Sequence, residues 1–270
     1  MATYKGNRGN LLQHWVLAEL VTAVQRAFPR GRLCFVDAHA MSPYAVRDAN
    51  PGQNANDFDR VRALLPGRSS AYEVAWEVLV RLLDCEYPSS AAFVRQLWVG
   101  PVHLLLCEFD RATANEIAQW IATVDQQITS WELYRGDWRI RFRQGMPKGH
   151  EVYLFSFDPY MFDRNGPPAQ PRPGNMYVPD LRWVCQAVTE LSGHPVVIQL
   201  STYSANNANK QSDVVKALAP PLIEAGLSVS NIVVADGNMM SLVFSRDLTS
   251  LGGGNLSKRF SEWASAAAVA

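Results

Sequence analysis

The stretch FSFDPYMFDRNGPP, Phe155 to Pro168, decides how the chain is read. It closes an apolar, aromatic-rich run, EVYLFSFD (151–158), on Asp-Pro-aromatic, and a proline-rich segment follows. A short apolar run bounded by turn residues is the pattern of a strand buried on both faces. Asp-Pro is also common in ordinary turns. If the run is a strand of an open α/β sheet, however, Asp158 stands at its carboxyl end, where such sheets bind ligands. The neighbours of the stretch choose between the two.

Downstream, PDLRWVCQAVTELS (179–192) reads as a helix opened by Pro179, and PVVIQLS (195–201) as a strand. KQSDVVKALAPPLIEAG (210–226) reads as a helix bent or interrupted at Pro220 and Pro221. LSVSNIVVAD (227–236) and MSLVFSR (240–246) read as a strand pair around a Gly237-Asn238 turn, and the alanine-rich tail ASAAAVA (264–270) is expected to fray. Upstream, GNLLQHWVLAELVTAVQRAF (9–28) is the clearest amphipathic helix, with Leu17, Leu20, Val21, Val24 and Phe28 at helical spacing. RLCFVD (32–37) and VHLLLCE (102–108) read as buried strands, the first as the centre of the sheet with Cys34 buried and unreactive. WELYRGD (131–137) reads as a strand ending in a turn. Helices are expected at SAYEVAWEVLVRLLD (70–84), SAAFVRQLW (90–98) and RATANEIAQWIATVDQQI (111–128). Strands alternating with helices predict a mostly parallel seven-stranded sheet covered on both faces, with one antiparallel strand at the end. A sheet of that kind resembles the Rossmann-like α/β core of class I S-adenosylmethionine-dependent methyltransferases.

The 270 residues carry 25 basic and 25 acidic side chains, so net charge is zero, and 48% of residues are hydrophobic. This suits a single α/β domain over 1–270, with a helical insertion at about 45–88 and a proline-rich lid loop at 163–179. Neutral charge argues against a broad, non-specific grip on nucleic acid and leaves room for a local basic patch. No apolar run approaches the roughly 20 residues of a membrane helix. The polar start MATYKGNRGN lacks a secretory h-region, and the four scattered cysteines have no zinc-site spacing. The expectation is a cytoplasmic protein with no membrane association and no metal.

Four successive strand ends carry an acid: Asp37, Glu108, Asp137 and Asp158. A carboxylate after the second strand can accept from both ribose hydroxyls. One after the third can accept from an adenine amino group. Asp37 with His39 can hold the amino acid end of a cofactor. Each acid alone is equally well read as the cap of the next helix; the constellation favours a site. Asp-Pro-aromatic after the fourth strand suits amine methylation. A carboxylate and the Pro159 carbonyl accept the two N–H groups, which turns the nitrogen lone pair toward the methyl, and an aromatic ring stacks on the base.

From Tyr4 to about Arg246 the chain resembles the bacterial enzymes that methylate N6 of an adenine in 23S ribosomal RNA. TYKGNRGNLLQH matches the family's opening motif at Gly6, Asn7, Leu12 and His14, with Gln13 in place of its lysine. DAHAMSPY matches the motif after the first strand at Asp37, His39 and Tyr44, with both glycines of that motif replaced around Met41, Ser42 and Pro43. YPSSAAFVRQL echoes a segment that puts Ser90 against the cofactor, and FDPYMF is also similar to the Asp-Pro-Phe of the three-Cys-motif partner proteins. The resemblance implies S-adenosylmethionine held by Gln13, His14, Asp37, His39, Ser90, Glu108 and Asp137. It further implies a catalytic group of Asp158, Pro159 and Tyr160, and substrate contacts from Tyr4, Lys5 and Arg8. Three readings follow: a methyltransferase acting on an amino nitrogen in RNA, one acting on a small-molecule amine, or a methyltransferase shell kept as a binding module.

Overall fold

The computed structural model describes residues 3–4, 8–43, 46–47, 70–85, 87–123, 128–159, 162–163, 172–203, 208–235, 239–247 and 256–268. In chain order the elements are β1 (Thr3–Tyr4), α1 (Arg8–Ala27), β2 (Leu33–Asp37), β3 (Val46–Arg47), α2 (Ala71–Leu83), α3 (Ser90–Leu97) and β4 (Val102–Glu108). Then come α4 (Arg111–Thr123), β5 (Ile128–Arg135), α5 (Trp138–Phe142), β6 (Val152–Phe157), β7 (Phe162–Asp163), β8 (Met176–Tyr177) and, after a 3-10 turn over Val178–Asp180, α6 (Leu181–Glu190). The chain continues through β9 (Val196–Tyr203), α7 (Ala208–Glu224), β10 (Ser228–Ala235), β11 (Met239–Arg246) and α8 (Leu256–Ala268).

Seven strands form one sheet in the order β10-β11-β9-β6-β2-β4-β5. Only β11 runs against its neighbours, pairing antiparallel with both β9 and β10. This is the topology of a class I methyltransferase sheet. The order reverses between β2 and β6, which makes β2 the switch strand, flanked in parallel by β4 and β6. The middle of the seven is β6 rather than β2, so RLCFVD is an interior strand but not the central one.

Both faces of the sheet are covered, as the continuous apolar strands require. Successive side chains alternate faces. Leu33, Phe35, Leu104, Leu106 and Leu154 pack with α1, α2, α3, α4 and α8. Cys34, Val36, Leu105, Tyr153 and Phe155 pack with α5, α6 and α7. Cys34 is fully buried, and burial raises its thiol pKa. Each large apolar side chain buried here contributes about 1.5–3 kcal/mol.

Three local expectations are corrected. The α7 helix continues through Pro220 and Pro221 to Glu224 without interruption. The tail is helical to Ala268, because Leu256 and Phe260 are buried and the Trp263 indole donates to Glu73 of α2 at 2.9 Å. The helix over 111–128 ends at Thr123, and Ile128 already belongs to β5, paired with Val102. The Gly237-Asn238 turn lies outside the described residues, as does most of the insertion. Within it, α2 is opened by a capping box between Ser70 and Glu73.

Candidate functional site

The parallel ladder delivers three acids to adjacent strand ends. Asp37 is the last residue of β2, Glu108 the last of β4, and Asp158 directly follows β6. The backbone beyond Asp37 is wedged between the flanking strands: the Ala38 N–H donates to the Ser156 carbonyl (3.1 Å) and the Ala40 N–H to the Cys107 carbonyl (3.0 Å). Asp37 accepts from the His39 N–H at 3.1 Å, and Glu108 accepts from the Asp110 N–H at 2.6 Å.

Burial pushes Asp37, Glu108 and Asp158 each up to about 7. At Asp37 the neighbouring charges of Asp158 and Glu108 add to burial, against the His39 N–H, which favours the ionised form. At Asp158 burial is opposed by a hydrogen bond from the Gln13 side chain. Three carboxyl groups with raised pKa stand at one sheet edge, and none is paired with a lysine or arginine among the described residues. Clusters of such perturbed groups in a cleft mark functional sites.

The amino-terminal helix completes one side. The Gln13 amide donates to Ser90 Oγ at 3.4 Å. Ser90 Oγ lies 3.0 Å from His14 Nε2, and His14 Nδ1 lies 2.6 Å from the Tyr87 hydroxyl, which donates to the Asn10 carbonyl at 2.6 Å. Each hydroxyl has one proton to give, so the directions are set. Tyr87 spends its proton on Asn10 and accepts from His14 Nδ1–H, while Ser90 donates to His14 Nε2 and accepts from Gln13. The result is a neutral relay, consistent with burial pushing His14 down to about 3. Below it Gln199, fully buried in β9, donates to the Gln13 carbonyl at 2.7 Å and fixes α1 over the strand ends.

The third-strand side is ionic. Asp137 is the N-cap of α5, accepting from the Arg139 N–H at 3.0 Å, so the helix-cap reading is realised there. Its two carboxylate oxygens also accept from Arg139 Nη1 at 3.0 and 3.1 Å. His39 sits edge-on to Trp138, with ring centroids 6.0 Å apart, and neither imidazole nitrogen has a partner among the described residues. Burial and then the Arg139 charge push it down to about 3.

The structure thus gathers Gln13, Asp37, Glu108 and Asp158 at one edge, with His14 and Ser90 behind Gln13. Pro159 is buried beside Asp158. Tyr160 and Lys5 lie outside the described residues, and Tyr4 and Arg8 are described only as backbone of β1 and α1. Sequence reasoning missed Tyr87, Gln199 and Arg139. Gln199 had a visible signal, as a lone amide inside the apolar run PVVIQLS; Arg139 had only its place two residues beyond a strand-end acid.

No family model and no curated protein matches the chain. Among solved structures, a DUF519 protein of Legionella pneumophila, LPL1258, superposes with a TM-score of 0.60 at 12% identity, over 90% of this chain and 86% of that one. An S-adenosylmethionine-dependent methyltransferase of Aquifex aeolicus matches with a TM-score of 0.35 at 8% identity, over 84% of this chain and 90% of that one. Among the described residues no helix is long and apolar enough to cross a membrane, and no group of His, Cys, Asp and Glu could hold a metal ion.

Proposed function

We propose that the chain binds S-adenosylmethionine at the carboxyl ends of β2, β4 and β5 and transfers its methyl group to an amino nitrogen, with adenine N6 in RNA as the substrate. The observation that carries the reading is the convergence of Asp37, Glu108 and Asp158 at the switch point of a class I methyltransferase sheet. The acids present fit the cofactor's chemistry. Glu108 suits the ribose hydroxyls and Asp37 the ammonium of the amino acid end, and a cationic sulfonium compensates the buried negative charge. The cofactor, when bound, supplies an electrophilic methyl carbon.

The residues of this chain do the rest by placement. Asp158, held by the Gln13 amide, accepts one hydrogen of the target amine, and the Pro159 carbonyl accepts the other. The lone pair then points at the methyl carbon. Methyl transfer would exchange the C–S bond for an N–C bond, with the thioether as leaving group, and the excess proton would pass from the product nitrogen to water or to Asp158, whose raised pKa suits it to that role. Support for an RNA substrate comes from the face beside the site. Exposed Arg143 and Arg182 both place their guanidinium carbons over Trp183, at 4.3 and 4.5 Å, and among the described residues neither has a carboxylate partner. Paired cations with an aromatic ring suit a phosphate backbone.

Calorimetry with S-adenosylhomocysteine, followed by tritium transfer from S-adenosylmethionine to unmodified ribosomal RNA or to a pool of small amines, tests this. Binding with transfer to RNA supports the proposal. Transfer only to small amines, or binding without any transfer, replaces it with one of the other two readings. No binding removes the cofactor reading altogether.

A further inference from the structure

Arg139 is buried and densely engaged near the strand ends. It is 6% exposed, and its guanidinium meets five groups from two parts of the chain. Nη1 holds both oxygens of Asp137, at 3.0 and 3.1 Å. Nη2 donates to Asp180 at 2.8 Å and to the Asn175 carbonyl. Its carbon lies 5.1 Å from the Trp138 ring centroid and 5.5 Å from that of Tyr177. Asp180 also accepts from the Tyr177 N–H at 2.8 Å. The guanidinium therefore ties the turn after β5 to the described return of the proline-rich segment, residues 172–180.

That segment also reaches the other acids' side of the site. A Cβ at Gly174 would lie 3.7 Å from the ring of Phe109, the residue following Glu108. Met176 and Tyr177 pair in parallel with Phe162 and Asp163 of β7, the next described element after Asp158-Pro159. Residues 172–177 thus span from Arg139 and Asp137 across to Phe109, over the ends of β4 and β5, where the proposed nucleoside would lie. A guanidinium in a two-carboxylate fork has a fixed geometry that a lysine ammonium cannot reproduce.

Resting on the cofactor reading above, we infer that Arg139 is a positioning residue for the nucleoside end of the cofactor. By clamping Asp137 to Asn175 and Asp180 it sets segment 172–177 as the wall of that pocket, so cofactor binding and the seating of this segment are one event. Neither Asp180 nor Arg139 need touch the cofactor for this to hold.

The test uses the full chain and S-adenosylhomocysteine. Affinity by calorimetry, melting temperature, and amide hydrogen exchange over residues 174–177 with and without ligand are measured for wild type, Arg139→Lys, Arg139→Met and the shape-conserving Asp180→Asn. The expected result is affinity lower by about tenfold or more in Arg139→Met and Asp180→Asn, with partial recovery in Arg139→Lys. Ligand should slow exchange over residues 174–177 in wild type and fail to do so in the variants. Folded variants with wild-type affinity and protection overturn the inference while leaving the cofactor reading intact. If Arg139→Met does not fold, Asp180→Asn and Arg139→Lys decide by the same criteria. Absence of binding in the wild type overturns the cofactor reading and this inference with it.

Discussion

The two sides of the strand-end crevice solve the same problem by opposite means. On the amino-terminal side, Gln13, Ser90, His14 and Tyr87 form a relay with no net charge, each proton assigned, anchored from below by Gln199. On the third-strand side, Arg139 binds two carboxylates in an ionic clamp. Neutral relays are directional and insensitive to salt. Ionic clamps hold mobile chain segments to a rigid edge but are costly to break on one side only. Between them lie three carboxyl groups with no cation of their own among the described residues. The relay side positions Asp158, where a proton changes hands in the proposed reaction; the clamp side positions a wall. In the proposed reaction, catalytic geometry rests on fixed sheet and helix, and the pocket wall on the clamped segment.

The sharpest way to break this division is Asp158→Asn, which keeps the shape and removes the charge. Turnover should fall by roughly 10²-fold or more, since the interaction is made mainly in the transition state. Affinity for S-adenosylhomocysteine should stay near wild type. Lower thermal stability with unchanged activity per folded molecule would mean that Asp158 only closes a turn. Next in size is Glu108→Ala. It leaves the ribose hydroxyls unpaired and should weaken S-adenosylhomocysteine binding by about 1–3 kcal/mol; unchanged affinity in calorimetry would remove Glu108 from the cofactor site.

The relay itself is probed by Tyr87→Phe. The ring stays and the hydroxyl goes, leaving His14 Nδ1–H and the Asn10 carbonyl without this partner. A cost of about 1–2 kcal/mol in stability is expected, read as a lower melting temperature. Cofactor affinity should barely move, because Gln13 keeps its anchor on Gln199. A loss of affinity with no loss of stability would show that Tyr87 belongs to the binding surface rather than to its support.

How much of this was legible in the residues follows from distance along the chain. The strand ends and their acids could be read because a buried strand declares itself within a few residues. So could the amphipathic α1, and so could the seven-stranded sheet with its last strand reversed. The five-residue α5 is too short to show a helical period, and α8 hid in an alanine-rich tail whose packing partner Glu73 is 190 residues away. The support of the site was hidden for the same reason. Gln199 meets Gln13 across 186 residues, and Arg139 meets Asp180 across 41, and neither pairing has a local signature. The acid at Asp137 was visible; that its oxygens are already held by Arg139 was not.

The smallest expected effect is a pH dependence that separates the two sides. His14 is pushed down to about 3, so the relay keeps its neutral form across the physiological range. Asp37, Glu108 and Asp158 are pushed up to about 7, so without ligand they take up protons as pH falls from 8 to 6. In the free protein a carboxyl whose folded pKa lies above its unfolded one binds more protons folded than unfolded between the two values. These three groups therefore destabilise the fold progressively as pH rises from about 4 to 7. His14 works the other way, its contribution being lost as pH falls from about 6.5 toward 3. A bound cation next to the carboxyls favours their ionised form, so binding should release protons near neutrality. Affinity for S-adenosylmethionine should then rise several-fold between pH 6 and 8, and the rise should be smaller for S-adenosylhomocysteine, which lacks the sulfonium charge. Calorimetry in buffers of different ionisation enthalpy counts the protons directly. Equal pH profiles for the two ligands would place the sulfonium away from Asp37 and Asp158, and so away from the edge where the structure gathers its acids.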